Sequence, residues 1–315
     1  MLFFFYVIFI VSALLKLLWF GLLRKGFRAK TPMNATLQTP LVSIITCTHN
    51  DLIHLKNLIP ALKAQSYPFI EIIIVNDRSS DLSQEWLKEQ VQRDNRMLVH
   101  HVENTPSDWD HKKYALMTGI QAAKGEYIFL TDADCMPSKT WISSMIKSFE
   151  THTNVVIGYS PYHSDATFLN QCIQIETLYT AIQYLGLAGL NQGYMAIGRN
   201  VAYRTKWLKE KFKQLPYRHQ LGGDDDLLIN HVTQALEIST CIQLEAQVIS
   251  EPAHHWKTWF HQKRRHYQVG RLYKPSTRLL LSSFLGVLWL HTMAFMFIMY
   301  LSPQKLEWLG LELGL

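Results

Sequence analysis

The sequence predicts an α/β domain, a mostly parallel sheet wrapped by helices on both faces, held between two membrane-spanning helices. Three observations carry this expectation. In residues 40–150, short β-branched apolar runs alternate with segments whose apolar residues recur at helical spacing, the order that builds parallel sheets. Several of these runs end in acids or small polar residues. Each end of the 315-residue chain is an apolar stretch whose basic flank faces the middle.

The first stretch, residues 2–23, reads LFFFYVIFIVSALLKLLWFGLL and holds one charge, Lys16. As a helix it would be about 33 Å long, which matches a hydrocarbon core of about 30 Å. A cleavable signal would start basic and end at a small-residue site. Here the start is uncharged and Arg24, Lys25, Arg28 and Lys30 come afterwards, so residues 1–23 read as an anchor and 24–39 as a basic linker.

LVSIITC (41–47) then reads as a buried strand ended by Thr48, His49 and Asn50. LKNLIPALKAQ has helical periodicity, FIEIIIVN is a second strand, and SQEWLKEQVQ is a helix that Ser79, Ser80 or Asp81 can cap. MLVHHV, KYALMTGIQAA, EYIFL and WISSMIKSFE continue as strand, helix, strand, helix. The apolar residues of 168–187, a stretch that includes Glu176, recur at helical spacing and read mostly as core packing. The second apolar stretch, 279–301, follows Lys263, Arg264, Arg265, Arg271, Lys274 and Arg278. Both flanks independently place residues 24–278 in the cytosol. His291 within this span reads as a helix–helix contact, 256–278 as an interfacial basic and aromatic segment, and the tail 302–315 is too short to cross again.

Lys and Arg number 31 against 25 Asp and Glu, a net charge of +6 that favours anionic partners. The basic residues flank the apolar spans and form no stripe on the middle, which excludes nucleic acid as the partner. Four dispersed cysteines without a C-x-x-C pair fit a reducing compartment. Neither G-x-x-x-x-G-K-[ST] nor G-x-G-x-x-G is present, so P-loop hydrolysis and dinucleotide redox chemistry lose support.

Parallel sheets bind ligands at the carboxyl ends of their strands. Three such ends carry chemistry: Thr48-His49-Asn50, then residues 76–81 (NDRSSD), then Thr131-Asp132-Ala133-Asp134. Asp132 and Asp134, two apart on extended chain, project from one face and can converge on one ion. Oxygen ligands of this kind suit Mg²⁺ or Mn²⁺ bridging a diphosphate.

Taken in order from residue 42 to residue 266, VSIITCTHND, VNDRSSD, HKKYALMTGIQAAKGEYIFLTDADC, GYMAIGRNVAYR, GGDDDLLI and QKRRH resemble the membrane-bound inverting family 2 glycosyltransferases with the GT-A fold. The resemblance implies a Rossmann-like mixed sheet over 40–255, a nucleotide-diphosphate sugar donor, a divalent metal and an acceptor hydroxyl. The acceptor is lipid-linked or a saccharide, the transferred group of hexosyl or N-acetylhexosaminyl type, and the enzyme an integral protein of a bacterial inner membrane with its catalytic domain cytoplasmic.

By the same resemblance Thr48, His49 and Asn50 line the nucleotide pocket, Asp77 bonds the base, Asp81 supports the loop, and Lys112 or Lys113 approaches the phosphates. Asp132 lies beside ribose and metal, and Asp134 is the metal ligand. Asp224 is the base, with Asp225 as the alternative, and Gly223 stands where relatives often carry Glu. Gln262, Arg265 and His266 match a Gln-x-x-Arg-Trp motif that holds the acceptor and neutralises the departing diphosphate. His266 in place of Trp argues for limited rather than processive addition. Gly193 and Gly198 permit close backbone approach. A nucleotidyltransferase or a catalytically silent nucleotide-binding scaffold are the rival readings.

Overall fold

The computed structural model describes residues 2–28, 39–234 and 237–301, which fall into two compact units. The tail and most of the linker lie outside the described residues.

The first unit consists of α1 (Leu2–Arg28) and α10 (Pro275–Leu301), two helices long and apolar enough to cross a membrane. They pair antiparallel. Phe5 stacks on Phe297 at 4.7 Å, Phe9 on His291 at 4.4 Å, and Trp19 meets Phe284 edge-on at 5.4 Å. Ser12 Oγ lies 3.2 Å from His291 Nδ1. His291 therefore sits in a helix–helix contact, as its polar neighbours predict. Leu14, Leu17 and Trp289 point outward and remain exposed.

The second unit, Gly26–Tyr273, opens with β1 (Val42–Thr48), α2 (Leu52–Lys63), β2 (Ile70–Asp77), α3 (Ser83–Arg93), β3 (Met97–Val102), α4 (His111–Ala122) and β4 (Tyr127–Leu130). β5 (Cys135–Pro137), α5 (Trp141–Met145), β6 (Val155–Gly158), α6 (Phe168–Gly189), β7 (Val201–Arg204) and α7 (Thr205–Lys211) follow. The unit closes with α8 (Asp226–Val232), β8 (Ile238–Cys241), β9 (Val248–Ser250) and α9 (Trp256–Gly270).

The large sheet runs β3-β2-β1-β4-β7-β6-β8. β1 to β4 are parallel and β7 runs antiparallel to both neighbours, so the sheet is mixed, as the GT-A resemblance implies. Every residue of β2 is buried, because helices cover both faces. Ile44, Ile72, Ile74, Phe129 and Trp141 centre the core. The chain steps from β1 outward through β2 to β3, then returns to β1's other side as β4. That reversal opens a crevice at the carboxyl ends of β1 and β4, the topological switch point where ligands enter such sheets. Beyond it, β5 and β9 pair through Cys135 and Ser250, and Glu251 N donates to Asp134 O at 3.3 Å, which pins the D-x-D segment.

Three expectations need correction. The helix over 141–150 ends at Met145 and continues only as a 3-10 turn over Ile146–Ser148, where Phe149 turns extended to lie 4.4 Å from Tyr127. In the 193–204 segment only Val201–Arg204 is strand. The segment read as core packing, within α6, buries Leu169, Ile173 and Thr177 but leaves Phe168, Ile175 and Leu178 exposed, so only one of its faces meets the core. All four cysteines are free.

Candidate active site

At the end of β1 and the end of β2, Asn50 and Arg78 both adopt left-handed backbone, each at φ 52. In a bulky residue such as arginine this costs about 1–2 kcal/mol, and the surrounding contacts hold it. His49 Nδ1 donates to Asp77 O at 2.6 Å. Asn50 N donates to Ser79 Oγ at 2.9 Å, and Asn50 Oδ1 accepts from Ser80 N at 2.7 Å. The two loops are thus laced together. His49 and Asn50, expected to face the nucleotide, spend these groups on bracing the loop that presents Asp77. Asp81 accepts from Leu52 N and Ser83 N, the supporting role expected of it. Asp77 is buried, and Arg78 closes on both its oxygens at 2.8 and 3.0 Å while also reaching His111 at 3.3 Å. Nothing in the sequence pattern marked Arg78.

Asp110 caps α4 by accepting from Lys113 N, and the helix then sends its first two lysines in different directions. Lys112 Nζ pairs with Asp132 Oδ1 at 2.9 Å. Lys113 Nζ is instead buried and donates to the carbonyls of Tyr217 and Gln220 at 3.0 and 2.8 Å. Lys113 therefore holds a loop and does not approach a phosphate. Consecutive helix positions lie about 100° apart, so only one of the two can face the crevice. Replacing Lys113 by Met should lower thermal stability by about 1–3 kcal/mol, since two buried carbonyls lose their donor. Lys112→Met should leave stability nearly unchanged and weaken nucleotide binding in titration calorimetry.

The acids converge. Asp132 holds its proton less tightly than usual: burial works against ionisation, but Lys112 outweighs it, helped by Arg199 and Arg265. Lys112 is raised well above its ordinary range, first by Asp132, against burial, and then by Asp224 and Asp225. The Cys47 thiol on β1 is pushed up to about 12, mainly by burial; Lys112 lowers it, and Asp224, Asp132 and Asp77 raise it. A single thiol thus lies in the field of acids from three separate stretches of chain. Thr48 Oγ1, Asn76 Oδ1 and Thr131 Oγ1, at the ends of β1, β2 and β4, are buried without a printed partner among the described residues. Buried polar atoms of this kind usually meet water or a ligand.

The three consecutive acids before and in α8 separate by their contacts. Asp225 accepts from Gly198 N and, at 2.9 Å, from Asp226 N, so it caps the helix and ties down the Gly198 loop. A Cβ on Gly198 would lie 3.0 Å from the Asp225 carboxylate, which is the close approach expected at that glycine. Burial and the neighbouring Asp224 push Asp225 up to about 6. Asp226 accepts from Tyr273 Oη at 2.9 Å and is raised well above the usual carboxylate range by burial and Asp225. Asp224, 8% exposed, is the member whose carboxylate makes no hydrogen bond among those described.

Gly222 and Gly223, both at φ +76, lead into these acids. A Cβ on Gly223 would lie 2.7 Å from Val269 and 3.0 Å from Leu227. Its place in the family pattern is explained by this: α9 lies against the loop, and only glycine fits beneath Val269 with that backbone. Gly223→Ala should cost about 1–3 kcal/mol, read as a drop in melting temperature, with a larger loss of activity because Asp224 is adjacent.

α9 brings Gln262, Arg265 and His266 to the same side. The Arg265 stem runs by Gly222, with its Cγ 3.7 Å from where a Cβ would stand. Burial pushes the His266 imidazole down to about 4, reinforced by Lys263, Arg265, Arg199 and Lys112, so it is neutral at pH 7. Gln262 Nε2 donates to Tyr162 Oη at 3.3 Å. Tyr162 also carries Arg199, whose guanidinium lies 4.5 Å over the ring and donates to Ser160 Oγ at 2.7 Å and Ser160 O at 3.1 Å. Buried Asn200 locks the adjacent backbone by donating to Tyr159 O and Ala246 O and accepting from Trp141 Nε1. Arg199 and Tyr162 had no assigned role. An arginine directly after Gly198, in a stretch read as bordering the sugar, was the available signal for Arg199.

Among the described residues no group of three or more His, Cys, Asp or Glu side chains gathers as a closed metal centre. Asp134 is raised by burial and by Asp132, and its described contact is a weak Cys135 Sγ donor at 3.4 Å. A partly buried carboxyl with a like-charged neighbour and oxygen donors only fits a hard divalent ion that completes its shell with water and phosphate.

The sequence profile described as glycosyl transferase family 2 matches residues 43–212, more than half of the chain. The glycosyltransferase GlyG of Streptococcus pneumoniae is 34% identical over 131 residues, covering 41% of this chain and 42% of GlyG. YdaM of Bacillus subtilis, assigned to the glycosyltransferases, is 24% identical over 242 residues, 72% of this chain and 54% of YdaM. A further relative, EpsH of Bacillus subtilis, aligns over 34% of its own length, so the chain spans about a third to a half of these relatives. Among solved structures, the mannosyltransferase PcManGT from Pyrobaculum calidifontis, in complex with GDP-Man and Mn²⁺, has a TM-score of 0.62 at 16% identity. That match covers 96% of this chain and 87% of PcManGT. TarS of Staphylococcus aureus superposes at a TM-score of 0.51 and 17% identity, over 78% of this chain and 43% of TarS. By fold and by profile alike, this chain belongs to glycosyl transferase family 2.

Proposed function

We propose that this protein is a membrane-anchored inverting glycosyltransferase. It moves a hexose or N-acetylhexosamine from a nucleotide-diphosphate donor to a hydroxyl of a lipid-linked acceptor, at the cytoplasmic face of a bacterial inner membrane. The observation that carries the reading is the unbonded Asp224 carboxylate in the same electrostatic environment as Lys112, Asp132 and Asp77. A mannosyltransferase of the same fold binding GDP-Man and Mn²⁺ supports the donor class and the metal.

In this reading Asp77 bonds the base once Arg78 is displaced, Asp132 faces the ribose, and Asp134 with Asp132 would hold Mg²⁺ or Mn²⁺. The ion supplies positive charge to the donor diphosphate. Asp224 accepts the acceptor's hydroxyl proton as the oxygen attacks the anomeric carbon from the face opposite the leaving group. The new C–O bond forms as the bond to the diphosphate breaks, which inverts the anomeric centre. Lys112 and Arg265 take up the charge developing on the diphosphate; a guanidinium suits this because it stays ionised and can bond two oxygens. Neutral His266 beside Arg265 offers an acceptor hydroxyl a hydrogen bond without competing for the proton.

Purified full-length protein, incubated with Mn²⁺ and a panel of nucleotide sugars in a membrane extract, tests this reading. Release of nucleoside diphosphate that depends on both donor and lipid extract supports it. Donor binding without release supports the silent scaffold, and pyrophosphate exchange supports nucleotidyl transfer.

A further inference from the structure

α6 has an apolar face open to solvent. Phe168, Ile175 and Leu178, 72%, 69% and 52% exposed, recur at helical spacing on the side away from buried Leu169, Ile173 and Thr177. A helix on the surface of a water-soluble domain carries polar residues there. α9 lies alongside: Phe168 meets Trp256 at 6.2 Å, and Glu176 pairs with Lys263 at 2.5 Å. The contacts advance by eight residues on one helix and seven on the other, so the two run side by side in the same direction. α9 has its own exposed face of Phe260, Arg264, Tyr267 and Arg271, again at helical spacing.

The chemistry of this double face favours one occupant. α9 contains no acid, and the one acid of α6, Glu176, is neutralised by Lys263. Basic side chains interspersed with Trp, Tyr and Phe rings match the headgroup level of an anionic bilayer. Gly270 ends α9 and Pro275 begins the apolar helix α10, a connection that can reach at most about 18 Å. The opposite face of α9 carries Gln262, Arg265 and Val269 toward the Gly222–Asp224 loop and Tyr162.

We propose that α6 and α9 together form a platform that lies in the headgroup layer of an anionic membrane, with Phe168, Ile175, Leu178, Phe260 and Tyr267 dipping below it. An amphiphilic acceptor then reaches Asp224 by passing beside α9 without leaving the bilayer. The platform stands independently of glycosyl transfer; only the acceptor route rests on it.

A photo-cross-linking phenylalanine analogue is placed in turn at Ile175, Phe260 and Tyr267 of the full-length protein, with Leu14 of α1 and exposed Ile53 of α2 as references. The proteins are reconstituted in phosphatidylcholine vesicles containing a minority of phosphatidylglycerol and illuminated. The platform predicts lipid adducts at the three sites in yields comparable with Leu14, and background yield at Ile53. It also predicts that adducts at Tyr267 are enriched in phosphatidylglycerol, and that R264E with R271E removes the enrichment, a basic residue at such a surface being worth about a factor of five. Adducts to a second copy of the chain or to its own tail, or lipid yields no higher than at Ile53, overturn the proposal. So does a Leu14 probe without lipid adducts. The same pattern is expected with Asp224→Asn, so a transfer mechanism that fails leaves the platform result readable on its own.

Discussion

Asp224→Asn should lower kcat by about 10²–10⁴-fold while donor affinity stays within about twofold of wild type, because the lost group acts on the proton in flight and not on the bound nucleotide. Asp225→Asn should behave differently. Asp225 accepts from Gly198 N and Asp226 N, so its replacement loosens the loop and the helix start, and stability falls along with activity. Its pH signature also differs. A carboxyl raised to about 6 in the folded chain, above an unfolded value of about 3.9, favours folding below the lower value, and that contribution is lost as pH rises through the upper one. Melting curves between about pH 4 and about pH 7 should lose this slope in Asp225→Asn. If instead Asp225→Asn abolishes turnover with stability intact, while Asp224→Asn does not, the two roles are reversed.

The second large effect is expected at the metal. Asp134→Ala should weaken donor binding in Mn²⁺ by about a hundredfold or more and reduce it to the level seen with wild type in chelator. Titration calorimetry of the donor with and without Mn²⁺ reads this directly. Equal donor affinity for wild type and Asp134→Ala at every Mn²⁺ concentration would remove the cation from the account. Asp132→Asn should be milder for the metal but should free Lys112, which now pairs with Asp132 at 2.9 Å.

The sheet was legible because its central strands are buried on both faces: β1, β2 and β4 have no need to alternate, so their β-branched runs stand out from the amphipathic helices between them. The D-x-D pair was legible for the same reason, since it directly follows an extended run. Choices between neighbours were not. Lys112 and Lys113 are adjacent and equally basic, and only the position of the Tyr217–Gln220 loop separates them. Asp224 and Asp225 are distinguished by a backbone amide 27 residues earlier in the chain. Gly223 reads as a departure until Val269 of α9 is seen packed over it. α6 misled for a different reason. Its sequence is apolar around much of its circumference, which says that faces will be covered but not by what, and one of them is covered by nothing in the described chain.

The most direct test of the central claim, a single displacement in which Asp224 removes the acceptor proton, is the configuration of the bond that forms. Proton NMR of the glycosylated product from an α-linked nucleotide sugar reads it from the anomeric coupling. The account predicts a β-linked product in wild type and none in Asp224→Asn. An α-linked product would mean two displacements or a different geometry of attack, and would contradict it.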